Sequence, residues 1–143
     1  MSVKTLQQEI VSTMKEWQKL ESASIASTGR IIAETEDPVI RAVMEIIQQD
    51  SHLHYRVQGL IAESLEQKAP ALTPDSLAKV WEMVARHIAL ENRMMEAVTL
   101  ALGRIKGKRM VIQEYLLRYL LEDEKKHAGL LEHLETIKKG MLP

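Results

Sequence analysis

The apolar residues of this 143-residue chain recur at alternating steps of three and four positions along four long segments. That spacing places them on one face of an α-helix, which has about 3.6 residues per turn. No segment of the sequence shows the sustained two-residue alternation that is typical of a half-buried strand. The sequence therefore predicts one all-α domain over residues 1–143, folded as a four-helix bundle.

Turn-forming and helix-capping residues separate the four segments. The first apolar stripe ends near Ile32, and Asp37-Pro38 then supplies the cap and first-turn residues typical of a helix start. Two prolines in Gln67–Pro74 end the second helix, and Gly103–Gly107 predicts a turn after the third. Gly140 is expected to end the fourth helix.

The composition limits both the chemistry and the compartment. The chain has no cysteine, which excludes disulfides, thiolate ligands and cysteine nucleophiles. Its net charge of −1 gives no general attraction to nucleic acid or to an anionic membrane. Because the sequence has no apolar run of membrane-spanning length and no signal-peptide pattern at its start, we expect a cytoplasmic protein.

Ionisable residues interrupt the apolar stripe of every helix. A carboxylate buried without a partner costs on the order of several kcal/mol, so ionisable residues at core-facing positions indicate partners inside the fold. The interrupting residues are Glu21 in the first helix, Asp50 and His54 in the second, His87 and Glu91 in the third, and Glu124 and His127 in the fourth.

Helix geometry places these interruptions at one level. With a rise of about 1.5 Å per residue, Glu21 lies roughly 22 Å and His54 roughly 27 Å from the first turn. By the same arithmetic, Glu91 and Glu124 lie roughly 21 and 28 Å from the last turn. Interruptions at similar depths indicate a shared polar centre in the middle of the bundle.

Glu124 and His127 are three residues apart, which places a carboxylate and an imidazole on one helix face. Oxygen and nitrogen ligands from neighbouring helices suit iron, manganese or zinc. The pattern therefore predicts a site for one of these metals.

The same residues resemble the ferritin-like di-iron carboxylate superfamily, which includes bacterioferritins and rubrerythrins. Its members place one Glu on each of two helices and a Glu-x-x-His on each of the other two. Glu21 and Glu91 resemble the single glutamates, whereas Glu124 and His127 resemble the second Glu-x-x-His. His54 resembles the histidine of the first. The resemblance implies an oxidoreductase in which carboxylate-bound iron, with manganese or zinc as alternatives, reacts with oxygen or peroxide.

The chain departs from the superfamily at the first Glu-x-x-His. Ser51 stands where the metal-bridging Glu is expected, and Asp50 precedes it. Asp50 is turned by about 100° around the helix axis, so we expect it to accept a hydrogen bond from a histidine, or to bind the metal only if the helix rolls. His87, one turn before Glu91, is an additional ligand candidate. We therefore expect a one-metal or asymmetric site.

A short internal repeat relates the second and fourth helices. Residues 47–54 (IQQDSHLH) align with residues 120–127 (LLEDEKKH). The match favours two related helical hairpins within the chain.

The connection between the second and third helices bears on the resemblance. A ferritin-like topology needs a long crossover, but the eight residues Gln67–Pro74 span at most about 30 Å. We therefore expect the second helix to end near Ala62 in a ferritin-like fold. If it continues to Glu66, the sequence favours a simple up-down-up-down bundle.

Two other functions fit the same residues. The Glu and His side chains can form a buried hydrogen-bond network in a non-catalytic, homodimeric bundle that binds no metal. A metal carrier or sensor without turnover is the third hypothesis. A redox-active protein would need a separate electron donor, because the chain lacks the cysteines of a rubredoxin-like domain.

Overall fold

The computed structural model describes residues 2–66 and 72–140, and within these ranges it contains four α-helices and no strand. The prediction of an all-α chain with four helices is confirmed. The helices are α1 (Val3–Glu34), α2 (Pro38–Glu66), α3 (Pro74–Ile105) and α4 (Val111–Gly140).

The helix starts have the side-chain caps that the sequence suggests. The Oδ1 of Asp37 accepts hydrogen bonds from the backbone N–H groups of Val39 and Ile40 at 2.8 and 3.0 Å. The Oγ1 of Thr73 likewise accepts from the N–H of Ser76 at 3.1 Å. These bonds satisfy first-turn N–H groups that have no partner within the helix.

Two helix ends differ from the predicted ones. Helix α1 continues two residues past Ile32. Helix α3 continues through Gly103 to Ile105, so the turn between α3 and α4 is shorter than predicted. A single glycine costs a helix only about 1 kcal/mol, which the flanking residues offset. The turn instead relies on Gly107, whose φ of 77° lies in the left-handed region that favours glycine.

The chain divides into two compact units, Met1–Ala71 and Leu72–Pro143. In the first unit α1 packs against α2, and in the second α3 packs against α4. We call these units hairpin 1 and hairpin 2. The expectation of two related hairpins agrees with this division, whereas the single domain stays a prediction.

The contact between α1 and α2 is largely polar. One residue every two turns of α1 is buried there: Met14, Glu21 and Thr28. The buried residues of α2 are Ser51, Gln58 and Ala62. Because a buried polar group must be hydrogen-bonded or lose stability, this packing depends on specific partners more than an apolar contact would.

Each hairpin, taken by itself, leaves large apolar side chains exposed. Leu20 of α1 is 69% exposed and Leu130 of α4 is 65% exposed. A single neighbouring helix covers only part of a broad apolar helix face, so the remaining apolar side chains stay exposed. The apolar pattern of the sequence is therefore only partly explained by packing inside each hairpin.

Helix α2 ends at Glu66, four residues beyond the end near Ala62 that a ferritin-like connection requires. The length condition for a long crossover is therefore not met by this helix. The rest of the connection, residues 67–71, lies outside the described residues.

Among the described residues, no helix has both the length and the apolar character needed to cross a membrane.

Candidate metal centre

Three of the predicted ligands meet in hairpin 2. Glu91 lies on the buried face of α3, where it is only 4% exposed, and it faces Glu124 and His127 of α4. One ligand atom from each of these residues lies within 4.8 Å of the other two. Glu91 lies on the buried face of α3 together with Leu77 and Val98. Glu124 and His127 are one turn apart on α4 and therefore lie on the same face of that helix.

The distances inside this cluster are close to those of a metal site. The Nδ1 of His127 lies 3.3 Å from Oε2 of Glu91 and 3.7 Å from Oε2 of Glu124. Two atoms bound to one ion at about 2.0–2.2 Å are about 3.0–3.6 Å apart in octahedral or tetrahedral geometry.

Asp123 holds the other side of the His127 ring. Its Oδ2 lies 3.3 Å from Nε2 of His127, and its Oδ1 forms an ion pair with Lys126 at 2.8 Å. With a cation bound, Nε2 would carry the proton and donate a hydrogen bond to Asp123, so that the lone pair of Nδ1 faces the cation between the two glutamates. Without a cation, Nδ1 donates to Glu91 only when it carries a proton. This carboxylate–imidazole arrangement is typical of the groups that orient a metal-binding histidine.

His87 contacts Glu91 from within α3. Its Nε2 lies 2.8 Å from Oε1 of Glu91, and its side chain is about half exposed, at 52%. The contact uses the Glu91 oxygen that does not face His127. His87 therefore positions the Glu91 carboxylate here, and its role as a ligand stays a prediction.

The two buried carboxyl groups are adjusted in opposite directions. A hydrogen bond from Glu124 lowers the pKa of Glu91, and hydrogen bonds from His87 and His127 act in the same sense against the effect of burial. The same contact with Glu91 raises the pKa of Glu124, and burial and charge repulsion add to it. Glu91 therefore ionises more readily, and Glu124 less readily, than an isolated glutamate, which is the usual outcome for two close acids.

One buried oxygen of this cluster has no hydrogen-bond donor among the described residues. This atom is the Oε2 of Glu124. Either a proton shared with Glu91 or a cation satisfies it. Two carboxylate oxygens and one imidazole nitrogen fit iron, manganese or zinc, so the residues present suit the metal that the sequence predicts.

Two further predicted ligands meet in hairpin 1. The Nδ1 of His54 on α2 lies 3.5 Å from Oε1 of Glu21 on α1. The other oxygen of Glu21, Oε2, is buried and has no hydrogen-bond donor among the described residues. Asp50 forms no hydrogen bond or ion pair in the described part of the chain, so its role as an acceptor for His54 stays a prediction.

The sequence reasoning overlooked Asp123 as a site residue. The signal was present, because the internal repeat aligns Asp123 with Asp50, for which a hydrogen bond to a histidine was expected. Among the described residues, the structure shows such an interaction in α4, between Asp123 and His127.

Comparison of the chain with protein-family models, with curated proteins and with solved structures finds no match.

Proposed function

We propose that the chain binds a divalent transition metal in hairpin 2 through Glu91, Glu124 and His127. The observation that supports this most strongly is the buried Oε2 of Glu124, which has no hydrogen-bond donor among the described residues and lies beside two other ligand atoms. A cation there would satisfy this oxygen and offset the repulsion between two buried carboxylates. Iron is the proposed metal, by resemblance to the ferritin-like superfamily, with manganese and zinc as alternatives.

The chain's own residues have distinct tasks in this proposal. Glu91 and Glu124 supply the negative charge that stabilises the oxidised metal, and His127 supplies a neutral nitrogen. Asp123 and His87 hold the ring of His127 and the carboxylate of Glu91 in place. Bound iron would supply one-electron chemistry with oxygen or peroxide, and the partial exposure of His87 and His127 leaves the site accessible to such small oxidants.

A second candidate function is a hydrogen-bond network without metal, in a non-catalytic homodimeric bundle. The close contacts of His87 and His127 with Glu91 favour it, since a shared proton between Glu91 and Glu124 would complete the network. The third candidate function is that of a carrier or sensor that binds metal without turnover. The homodimer, the cytoplasmic location and the separate electron donor stay predictions.

Metal analysis of protein purified without chelators tests the proposal. We expect bound metal in the wild type and its loss in Glu124→Gln, which keeps the side-chain size but removes the charge. Glu122→Gln is the matched control, because Glu122 lies on the same helix with its side chain 72% exposed. Wild-type protein that binds no iron, manganese or zinc on titration would favour the metal-free network.

Oxygen and peroxide consumption separate an enzyme from a carrier. The iron-loaded wild type should consume one of these oxidants faster than free iron at the same concentration, and Glu124→Gln should not. Tight binding without oxidant consumption would leave the carrier or sensor as the function.

A further inference from the structure

Hairpin 1 repeats the arrangement of the metal centre with one carboxylate missing. In the aligned segments, His54 corresponds to His127 and Ser51 corresponds to Glu124. Each histidine contacts a buried glutamate of the opposite helix at a similar distance: 3.5 Å to Glu21 in hairpin 1 and 3.3 Å to Glu91 in hairpin 2. The two hairpins therefore hold a Glu–His pair in the same way.

Ser51 occupies the place of the missing carboxylate. It is only 5% exposed, and its hydroxyl is hydrogen-bonded to the hydroxyl of Ser24 at 2.8 Å. A neutral hydroxyl that already has a partner contributes no charge to a cation. Hairpin 1 thus offers two ligand groups where hairpin 2 offers three.

Glu21 nevertheless retains the features of a ligand. The residue is 8% exposed, and its buried Oε2 has no hydrogen-bond donor among the described residues. A buried carboxylate oxygen without a donor costs stability, so a glutamine or an apolar residue would suit a purely structural position better. The unpartnered oxygen points to a site that needs one more charged group.

We propose that Ser51 limits the chain to a single metal ion, and that a carboxylate at this position would create a second cation site with Glu21 and His54. This inference rests on the proposed function of hairpin 2. It assigns the one-metal character of the chain to one residue and implies that the bound metal acts alone, without a second ion to share a two-electron step.

The test is the metal content per chain of the double variant Ser51→Glu and Ser24→Ala, in which the second change removes the hydroxyl that Ser51 contacts. We expect the number of bound Fe²⁺ or Zn²⁺ ions to double, from one to two. Gln49→Glu adds the same charge at an exposed position of α2 and should leave the number at one.

Single substitutions in the otherwise wild-type chain keep the inference testable if the double variant does not fold. Glu21→Gln and His54→Gln should leave the wild-type content at one ion, whereas Glu124→Gln should reduce it to zero. A loss of metal in Glu21→Gln or His54→Gln, or two ions in the wild type, would overturn the inference while the metal-binding function stands. One ion in a folded double variant would also overturn it. No ion in the wild type would instead defeat the proposed function itself.

Discussion

At the scale of a single residue, the burial of Glu124 opposes the charge that metal binding would require of it. Its burial beside Glu91 raises its pKa, so the folded protein keeps a proton there that the unfolded chain releases. At a pH between the ordinary carboxyl pKa and the raised one, the folded state binds more protons. The free energy of unfolding therefore falls as the pH rises through this window. The lower free energy of unfolding at higher pH is the expected consequence of burying a carboxylate that is available to a metal ion.

Glu124→Gln should therefore stabilise the metal-free protein while it abolishes metal binding. The amide is uncharged and can donate a hydrogen bond to Glu91, so we expect a higher free energy of unfolding at neutral pH. The gain should vanish at a pH below the ordinary carboxyl pKa, where Glu124 is protonated in both states. Urea unfolding with a chelator present, at the two pH values, measures it. A less stable variant at neutral pH would contradict the assignment.

Asp123 should tune metal affinity without being a ligand. Removing the carboxylate in Asp123→Ala frees the His127 ring and lowers its basicity, so we expect the dissociation constant to rise about 10-fold or more. Metal titration of the variant beside Glu122→Gln provides the measurement. Unchanged affinity would show that the contact between Asp123 and His127 has no part in the site, and complete loss would make Asp123 a ligand.

At the scale of the helices, the sequence predicts the position of each helix along the chain well. It predicts less well which face of the helix packs against its neighbour. The apolar periodicity located all four helices, and the cap at Asp37 located the start of α2. Helix ends were less certain because Gly103 can be accommodated within a helix. The polar contact between Ser24 and Ser51 was not foreseen, since periodicity alone does not say which of two adjacent stripes meets the neighbouring helix.

The cap of α2 gives a prediction at this scale. Asp37 satisfies two backbone N–H groups, so Asp37→Ala should lower the free energy of unfolding by about 1 kcal/mol. Asp37→Ser should retain most of the stabilisation that the cap provides. The exposed neighbour Glu36 provides the control in Glu36→Ala. Urea unfolding of the three variants decides the point, and equal losses in Asp37→Ala and Glu36→Ala would exclude a capping role.

At the scale of the whole chain, the interruptions of the apolar pattern identified the candidate site before any coordinates. The structure brings Glu91, Glu124 and His127 together, and it brings Glu21 and His54 together within the other hairpin. Within each hairpin the residues expected at similar depths are in contact, because helix rise is nearly constant. The centre shared by all four helices stays a prediction. The number of ligands in each hairpin could not be predicted from spacing, because it depends on which side chains already have partners.

The central claim is that two carboxylates and one imidazole of hairpin 2 bind one cation. Titration of the metal-free protein with Co²⁺, followed by visible absorption, tests it directly, because the visible bands of Co²⁺ shift and intensify when protein ligands replace its water, and the protein itself does not absorb there. We predict bands that saturate at one equivalent in the wild type and are absent in Glu124→Gln. No bands in the wild type, or the same bands in the variant, would contradict the claim.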